Sequence, residues 1–272
     1  MMECRNCSRY SKGFERVDID KLLGDGAYNG NIELKWRRTK GVIDEILKKY
    51  KNPKIIDLAV GGGNDAIFLL EKGYNVVGND KDVYLSQVAT EEAKKKGFSL
   101  KINNEDWIDI LDSKKYSDDE FDFAYILGNS FPNYLFNKKD REKSLKGFWR
   151  ILKSKGVLFF DTRNFDYMLD NRGFILKNPE NNFRYDGVCT YLKSDIYRCF
   201  PTVIEDQLIH WCSKNYLTNQ YGCLDLWPVT EERMKAEIKD VLGSSVDVEI
   251  YYDYNTMKKD HYDFIQYKLT KL

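Results

Sequence analysis

The feature that most constrains the fold is a strand, glycine turn and helix pattern in the first third of the chain. Residues 54–60 form a short, mostly apolar run rich in β-branched side chains, typical of a strand buried on both faces of a parallel sheet. The glycines from Gly61 to Gly63 break that run, and a helical segment at residues 66–72 follows, closed by Gly73. This unit indicates the α/β class.

The alternation of strand and helix continues along the chain. Further strands are predicted at residues 75–79, 98–102, 121–127, 156–161, 246–252 and 264–269. Helices are predicted at residues 31–49, 83–96, 140–152 and 230–242. Strands separated by helices imply right-handed crossovers and a parallel sheet covered on both faces, and the last two strands alternate as an antiparallel hairpin. The prediction is a doubly wound, mostly parallel sheet of seven strands.

The alternation lapses between residues 164 and 225, in a segment rich in Asn, Tyr and Cys. The segment is too long for an ordinary loop, and strand-like runs at residues 188–192 and 202–211 favour an insertion with its own small antiparallel sheet. The sequence therefore predicts an N-terminal arm at residues 1–30, a main domain at residues 31–163 and 226–272, and a substrate-side insertion at residues 164–225.

The composition limits the classes of partner. Lys plus Arg and Asp plus Glu both number 43, and no basic face appears that would neutralise a row of phosphates, so nucleic acid is not an expected partner. No apolar run reaches the roughly 18 residues of a spanning helix, and no signal peptide is recognised at the N-terminus. We therefore predict a cytoplasmic protein without a membrane partner.

A metal site is not expected. Cys4 and Cys7 form one Cys-x-x-Cys pair, which is half of a zinc site, but no second pair follows. The remaining cysteines have irregular spacing and are interpreted as thiols. His210 and His261 are the only histidines, and neither adjoins a motif at the end of a strand, so we interpret both as structural.

The glycine turn lies where open parallel sheets bind their ligands, beyond the carboxyl ends of the strands. Asp80 follows the second strand, 19 residues after Gly61, where an acid can accept hydrogen bonds from ribose hydroxyls. Taken alone, these two features fit a nicotinamide dinucleotide as well as S-adenosylmethionine.

Three details favour S-adenosylmethionine. The turn lacks the Gly-x-Gly-x-x-Gly arrangement that presents a helix N-terminus to a pyrophosphate. S-adenosylmethionine carries a positive sulfonium and no phosphate, so the acids Asp57 and Asp65 suit it better than they suit a dinucleotide. Asp106 and Trp107 follow the third strand, where a carboxylate could bind the adenine amino group and an indole could cover the ring. The alternative for this pair, a loop acid beside a core tryptophan, stays open.

These motifs together resemble a known family. The series at residues 57–63, 78–80 and 105–107 resembles the class I methyltransferases, which have a Rossmann-like fold. Residues 127–131 and 161–166 are similar to glycine and glycine/sarcosine N-methyltransferases, with support from residues 37–39 and 191–196. The resemblance implies an S-adenosylmethionine-dependent enzyme that methylates the amine of a small amino acid.

The resemblance also implies roles for individual residues. The implied cofactor-binding residues are Arg38, Asp57, Ala59, Gly61, Gly63, Asp80, Lys81, Asp106, Trp107 and Leu127. Arg38 would hold the carboxylate of the cofactor's methionine, Asn129 would orient the substrate, and Arg163 would grip the substrate carboxylate with a bidentate guanidinium. A surface ion pair between Arg163 and Asp166 is the alternative for that arginine.

Two departures from the family leave the acceptor open. Asn133 stands where relatives that methylate glycine often have histidine, and Leu226 and Trp227 replace a tyrosine pair before a proline. A bulkier amino acid, or an amine with its carboxylate elsewhere, would fit an altered wall. An O- or C-methyltransferase of another metabolite, and a cofactor-binding regulatory subunit that docks a partner through its N-terminal arm, are the other hypotheses. Homo-oligomerisation also stays open.

Overall fold

The computed structural model describes residues 41–128, 130–131, 137–179, 197–215, 221–254 and 262–272. The strands in this part of the chain are β1 (Lys54–Asp57), β2 (Asn75–Asn79), β3 (Lys101–Asn103), β4 (Phe121–Ile126), β5 (Leu152–Arg163), β6 (Tyr197–Glu205), β7 (Leu208–Asn215), β8 (Tyr221–Leu226), β9 (Val246–Tyr252) and β10 (Phe264–Lys271). The helices are α1 (Val42–Leu47), α2 (Asn64–Glu71), α3 (Val83–Lys95), α4 (Lys138–Ile151), α5 (Phe165–Asp170), α6 (Arg172–Lys177) and α7 (Glu231–Leu242). Short 3-10 turns occupy Trp107–Asp109 and Gly243–Ser245.

The main sheet has seven strands in the order β3-β2-β1-β4-β5-β10-β9, and β10 runs antiparallel to both of its neighbours while the other pairs are parallel. The strand order reverses between β1 and β4, which places the crevice for a ligand at the carboxyl ends of these strands. A second sheet joins β6, β7 and β8 in antiparallel pairs. The predicted fold class and the small antiparallel insertion are confirmed.

The core lies on both faces of the central strands. Ile55 and Ile56 on β1 are fully buried, as expected of adjacent side chains that point to opposite faces of a covered sheet. Aromatic side chains fill the space beside β5, where the Phe160 ring stacks on the Tyr267 ring at 4.9 Å and 15°. This rigid centre fixes the strand ends that carry the site.

A buried ion pair joins α4 to α7. The guanidinium of Arg141 donates from Nε to one carboxylate oxygen of Glu237 at 2.7 Å and from Nη2 to the other at 3.0 Å. The same guanidinium lies 3.6 Å from the centre of the Trp227 ring. All three side chains are buried, so the contact fixes these two helices and the chain that leaves β8.

Several boundaries differ from the sequence predictions. The single strand predicted at residues 202–211 is wrong, because the chain turns at Asp206 and Gln207 and forms the hairpin of β6 and β7. The third strand of the main sheet begins at Lys101 instead of residue 98. The helices α5 and α6 lie in the segment at residues 164–225, for which the prediction named a small sheet and no helix. The predicted run at residues 188–192 lies outside the described residues, and the division into domains stays a prediction.

Within the described ranges, no helix is long and apolar enough to cross a membrane. No group of three or more His, Cys, Asp or Glu side chains in this part of the chain is arranged to hold a metal ion.

Candidate active site

The glycine turn follows β1 at the carboxyl edge of the main sheet. The N–H of Val60 donates to the carbonyl of Asn79 at 3.1 Å, and the N–H of Gly63 donates to the carbonyl of Val60 at 2.8 Å. Gly63 has a φ of 85°, and a Cβ at this position would lie 2.9 Å from the Cβ of Ala89 on α3. Only glycine fits both the backbone conformation and this close approach to the helix.

Asp80 is held beside this turn by backbone donors. One carboxylate oxygen accepts the N–H of Gly61 and the other accepts the N–H of Asp82, both at 2.9 Å. Asp82 in turn caps α3 by accepting the N–H groups of Tyr84 and Leu85. Each carboxylate oxygen has two lone pairs, so Asp80 retains acceptor capacity toward a ligand. Burial raises the pKa of Asp80.

Asp57 is the most perturbed acid at this edge and is only 3% exposed. Burial, followed by the charge of Asp65, raises the pKa of Asp57 to about 8, although the N–H of Ala59 donates to its carboxylate at 3.1 Å. Asp80 contributes further in the same direction. Neighbouring acids raise one another's pKa, whereas a positively charged ligand at this edge would lower the pKa of Asp57 and favour its ionised form.

A buried amide that the sequence analysis missed connects the ends of β2 and β3. The side chain of Asn79 donates to the carbonyl of Glu105 at 3.1 Å and accepts the N–H of the same residue at 3.2 Å. The hydroxyl of Tyr116 also donates to the Asn79 amide oxygen, at 2.8 Å. These bonds fix the loop that carries Asp106 and Trp107. The sequence signal was a polar residue placed directly before Asp80 at the end of an apolar strand.

Trp107 and Asp106 lie at the same edge. The indole N–H of Trp107 donates to the carbonyl of Leu58 at 2.6 Å, and its ring packs edge-on against Phe131 and Phe148, each at 6.0 Å. Asp106 is 3.6 Å from the ammonium of Lys81. Trp107 therefore packs against the core on one side while remaining half-buried, and its contact with an adenine ring stays a prediction.

The remaining described residues of the predicted site follow β4 and β5. Leu127 comes directly after β4, and its carbonyl accepts the hydroxyl of Ser130 at 3.0 Å. Arg163 ends β5, and its Nε and Nη1 atoms are buried. Asp166, the alternative partner considered for Arg163, accepts the backbone N–H of Glu231 at 3.1 Å. Arg38, Asn129 and Asn133 lie outside the described residues.

A cluster of acids and tyrosines that the sequence analysis also missed lies at the end of β9. The hydroxyl of Tyr252 donates to Glu231 at 2.9 Å, and the Tyr252 ring lies 4.6 Å from the ring of Tyr262. The carbonyl of Tyr262 accepts the amide of Asn164, the residue that follows Arg163. Burial, followed by the charge of Asp166, raises the pKa of Tyr262 to about 12.

The structure thus brings most of the predicted residues to one edge of the sheet. The ends of β1, β2 and β3 carry Asp57, Ala59, Gly61, Gly63, Asp80, Lys81, Asp106 and Trp107, and the ends of β4 and β5 carry Leu127 and Arg163. His210 is on β7 of the small sheet, with its Nδ1 2.6 Å from Asp225. His261 is outside the described residues.

Comparison with known proteins assigns this arrangement to a family. Residues 55–156 match the family described as a methyltransferase domain. The chain is 38% identical over 216 residues to a glycine/sarcosine N-methyltransferase of Halorhodospira halochloris, and the match covers 79% of this chain and 73% of the relative. The chain belongs to the class I S-adenosylmethionine-dependent methyltransferases.

Other relatives of this methyltransferase agree. A glycine/sarcosine N-methyltransferase of Aphanothece halophytica is 29% identical over 219 residues, which cover 80% of this chain and 76% of the relative. The solved structure of an S-adenosylmethionine-dependent methyltransferase from Clostridium acetobutylicum superposes with a TM-score of 0.66 at 17% identity, covering 94% of this chain and 98% of that one. This structural likeness shows the shared fold.

S-adenosylmethionine is the cofactor of this methyltransferase, and the residues at the strand ends fit it. The turn from Gly61 to Gly63 has no side chains that would fill the crevice, and Asp80 retains lone pairs beside it. The charge of Asp65 attracts a sulfonium or an ammonium, and a bound cation would lower the pKa of Asp57, so the ionised Asp57 carboxylate and the positively charged ligand favour each other.

Proposed function

We propose that this methyltransferase transfers a methyl group from S-adenosylmethionine to the amine of a small amino acid of the glycine or sarcosine type. The observation that carries the proposal is the position of Arg163, at the carboxyl end of β5 and on the ligand side of the sheet. A guanidinium in this place offers a bidentate contact to the carboxylate of an amino acid. The relatives named glycine/sarcosine N-methyltransferase support the same substrate class.

In this proposal the cofactor lies across the ends of β1, β2 and β3. Asp80 accepts hydrogen bonds from the ribose hydroxyls, beside Lys81, while Asp106 and Trp107 contact the adenine. The methionine part lies along the turn from residue 59 to 63, where its positive charges lower the pKa of Asp57 and favour the ionised carboxylate. Leu127 offers a backbone contact, and Arg38 holds the methionine carboxylate.

The chain's contribution to the chemistry is alignment. When bound, S-adenosylmethionine would supply a methyl group on a positively charged sulfur: the carbon–sulfur bond would break as the acceptor nitrogen takes the methyl group in line, the thioether would leave, and the methylated nitrogen would release a proton to solvent. Arg163 holds the acceptor carboxylate and Asn129 orients the acceptor, so that the amine faces the methyl group. Positioning of this kind can supply much of the rate without a strong catalytic base, provided that the amine is unprotonated.

The surroundings of Trp227 bear on the choice of acceptor. Trp227 stands where the family has a tyrosine, but the Arg141 guanidinium covers one face of its ring, and the side chain is buried. This face of the Trp227 ring therefore packs in the contact between α4 and α7. Because no tyrosine hydroxyl stands at this position, we expect an acceptor range that differs from that of the glycine enzymes.

The decisive experiment compares acceptors that differ only in the carboxylate. Purified protein is incubated with S-adenosylmethionine and glycine, sarcosine, alanine or the matching amines without a carboxylate, and the products are identified by mass spectrometry. We expect methylation of one or more amino acids and at least about hundredfold lower kcat/KM for the matching amine, because two charged hydrogen bonds are lost. Methylation of aromatic hydroxyls or RNA, with none of amino acids, would contradict the proposal.

A variant of Arg163 tests the same assignment from the side of the protein. Arg163→Ala should lower kcat/KM for the amino acid by about two orders of magnitude, while calorimetry should give an unchanged Kd for S-adenosylhomocysteine. Arg172→Ala is the matched control, because Arg172 is exposed on α6 and pairs with Asp206 at 3.0 Å. Equal effects of the two variants would exclude Arg163 as the carboxylate anchor.

A further inference from the structure

The chain leaves β9 in an unusual backbone conformation. Asp253 and Tyr254 are consecutive residues with φ values of 52° and 56°, in the left-handed region that disfavours residues other than glycine. Asp253 stabilises this conformation by accepting the N–H groups of Asp263 and Phe264, each at 2.9 Å. The N–H of Tyr254 donates to the side-chain oxygen of Gln266 at 2.7 Å. The Tyr254 side chain is thereby held in the interior, where it is 0% exposed.

The hydroxyl of Tyr254 donates a hydrogen bond to Oδ2 of Asp161, a fully buried residue of β5. The same oxygen accepts the backbone N–H of Gly128 at 3.2 Å. A buried carboxylate requires such donors to replace the water that it has lost. The Asp161 side chain therefore ties the chain after β9 to the chain after β4.

Gly128 belongs to the turn that follows β4. Its φ is 77°, and no atom of the described residues lies within 4 Å of the position that a Cβ would take. The hydrogen bond to Asp161 is one contact through which the core fixes this turn, beside the buried side chain of Leu127. Asn129 is the next residue in the sequence, and Arg163 lies two residues after Asp161, with its side chain on the same face of the sheet.

We propose that Tyr254 is a positioning residue for the methyl acceptor. Its hydroxyl fixes the Asp161 carboxylate, and Asp161 holds the Gly128 turn in register with Arg163. The inference rests on the proposed function, because it takes Asn129 and Arg163 as the acceptor-binding residues. The cofactor edge at Asp80 is held by other groups, and the side chain of Leu127 is itself buried, so we expect Tyr254 to affect acceptor binding more than cofactor affinity.

Tyr254→Phe tests the inference, because it removes one oxygen and keeps the ring. We expect KM for the acceptor to rise about fivefold or more and kcat to fall, with the Kd for S-adenosylhomocysteine within about twofold of wild type. Tyr267→Phe is the matched control: Tyr267 is also fully buried, on β10, but its hydroxyl lies beside Thr162. The control should leave KM within about twofold of wild type.

Hydrogen exchange provides a readout that does not depend on the identity of the acceptor. In Tyr254→Phe the peptide that contains Gly128 should exchange faster than in wild type, and in Tyr267→Phe it should not. If no amino acid is methylated and exchange at Gly128 still accelerates, the proposed function is wrong while the positioning contact is supported. Unchanged exchange together with an unchanged KM, or an equal response in Tyr267→Phe, would overturn the inference.

Discussion

The two halves of the site are held in different ways. In the cofactor half, at the ends of β1, β2 and β3, the acids proposed to bind the cofactor accept backbone N–H groups: Asp57 accepts the N–H two residues on, and Asp80 accepts the N–H of Gly61, 19 residues away. In the acceptor half, at the ends of β4 and β5, the buried acid Asp161 accepts a side-chain hydroxyl from a distant part of the sequence as well as a backbone N–H. Tyr254 and Asp161 are separated by 93 residues.

This difference has a consequence for how specificity can change. A cofactor half built on the main chain tolerates few substitutions without losing its ligand, because the glycine turn and its acids form one unit. An acceptor half built from distant side chains can be altered at single positions while the cofactor half stays intact. The predictions below test this separation, in order of the size of the expected effect.

The largest effect is expected when the buried ion pair between α4 and α7 is broken. Glu237→Gln should lower the free energy of unfolding by about 3 kcal/mol or more, because it leaves the buried guanidinium of Arg141 without a countercharge. Denaturant unfolding measures the change. Glu142→Gln is the control on the same helix as Arg141, since Glu142 lies 3.7 Å from Lys138 at the surface. The control should lower the free energy of unfolding by less than about 0.5 kcal/mol. Equal losses would show that the buried pair does not stabilise the contact between α4 and α7.

How much the sequence predicted follows the same division. The glycine turn, Asp80 and the succession of strands along the chain could be predicted from the sequence. The period of the apolar residues, the placement of glycine and the acids at strand ends are all local signals. The hairpin of β6 and β7 was missed because its turn contains neither glycine nor proline. The available signal was the run of three polar residues from Glu205 to Gln207, which interrupts the apolar pattern on either side.

The tertiary hydrogen bonds were not predictable in this way. Asn79 and Tyr116 are 37 residues apart, and nothing in either local sequence indicates that they meet. The same holds for Tyr254 and Asp161, which pair only because β10 runs antiparallel between β5 and β9. A single sequence gives the residue types, and the fold decides which of them become partners.

The second prediction concerns the pH dependence of stability in the cofactor half. The buried carboxyl of Asp57 keeps its proton in the folded chain up to a pH of about 8, whereas an unperturbed carboxyl releases it near 3.8. Between these values the folded state binds the extra proton, so this group's contribution to stability falls as the pH rises, by at most about 1.4 kcal/mol per pH unit.

Asp57→Asn removes this dependence. The stability of the variant relative to wild type should increase from pH 5.5 to 7.5, by about 1 kcal/mol per pH unit, and level off above a pH of about 8. Urea unfolding at several pH values measures the difference. Asp109→Asn, at an exposed position, should give a difference that stays flat. Parallel curves for wild type and Asp57→Asn would show that the carboxyl is ionised throughout.

The third prediction separates the halves by ligand. Asp80→Asn should raise the Kd for S-adenosylmethionine about tenfold or more, because an amide is a weaker acceptor than a carboxylate for ribose hydroxyls, yet leave KM for the acceptor within about twofold at saturating cofactor. Calorimetry and steady-state kinetics measure the two quantities. An equal rise in both would mean that the two halves are mechanically coupled and that the comparison drawn above is wrong.

The smallest effect tests whether the glycine turn depends on its packing against α3. Gly63 and Gly73 have nearly the same φ, 85° and 86°, but a Cβ on Gly63 would lie 2.9 Å from the Cβ of Ala89, whereas no described atom lies within 4 Å of a Cβ on Gly73. Both alanine variants pay for the left-handed backbone, by about 1 kcal/mol. Gly63→Ala should lower the free energy of unfolding by about 1 kcal/mol more than Gly73→Ala in thermal unfolding, because the turn or α3 must move to relieve the contact.

That movement would displace the backbone N–H of Gly61 from Asp80, so Gly63→Ala should also weaken cofactor binding while Gly73→Ala leaves it unchanged. Equal losses of stability, with equal cofactor affinity, would show that the turn adapts without cost and that local backbone packing does not define the cofactor half.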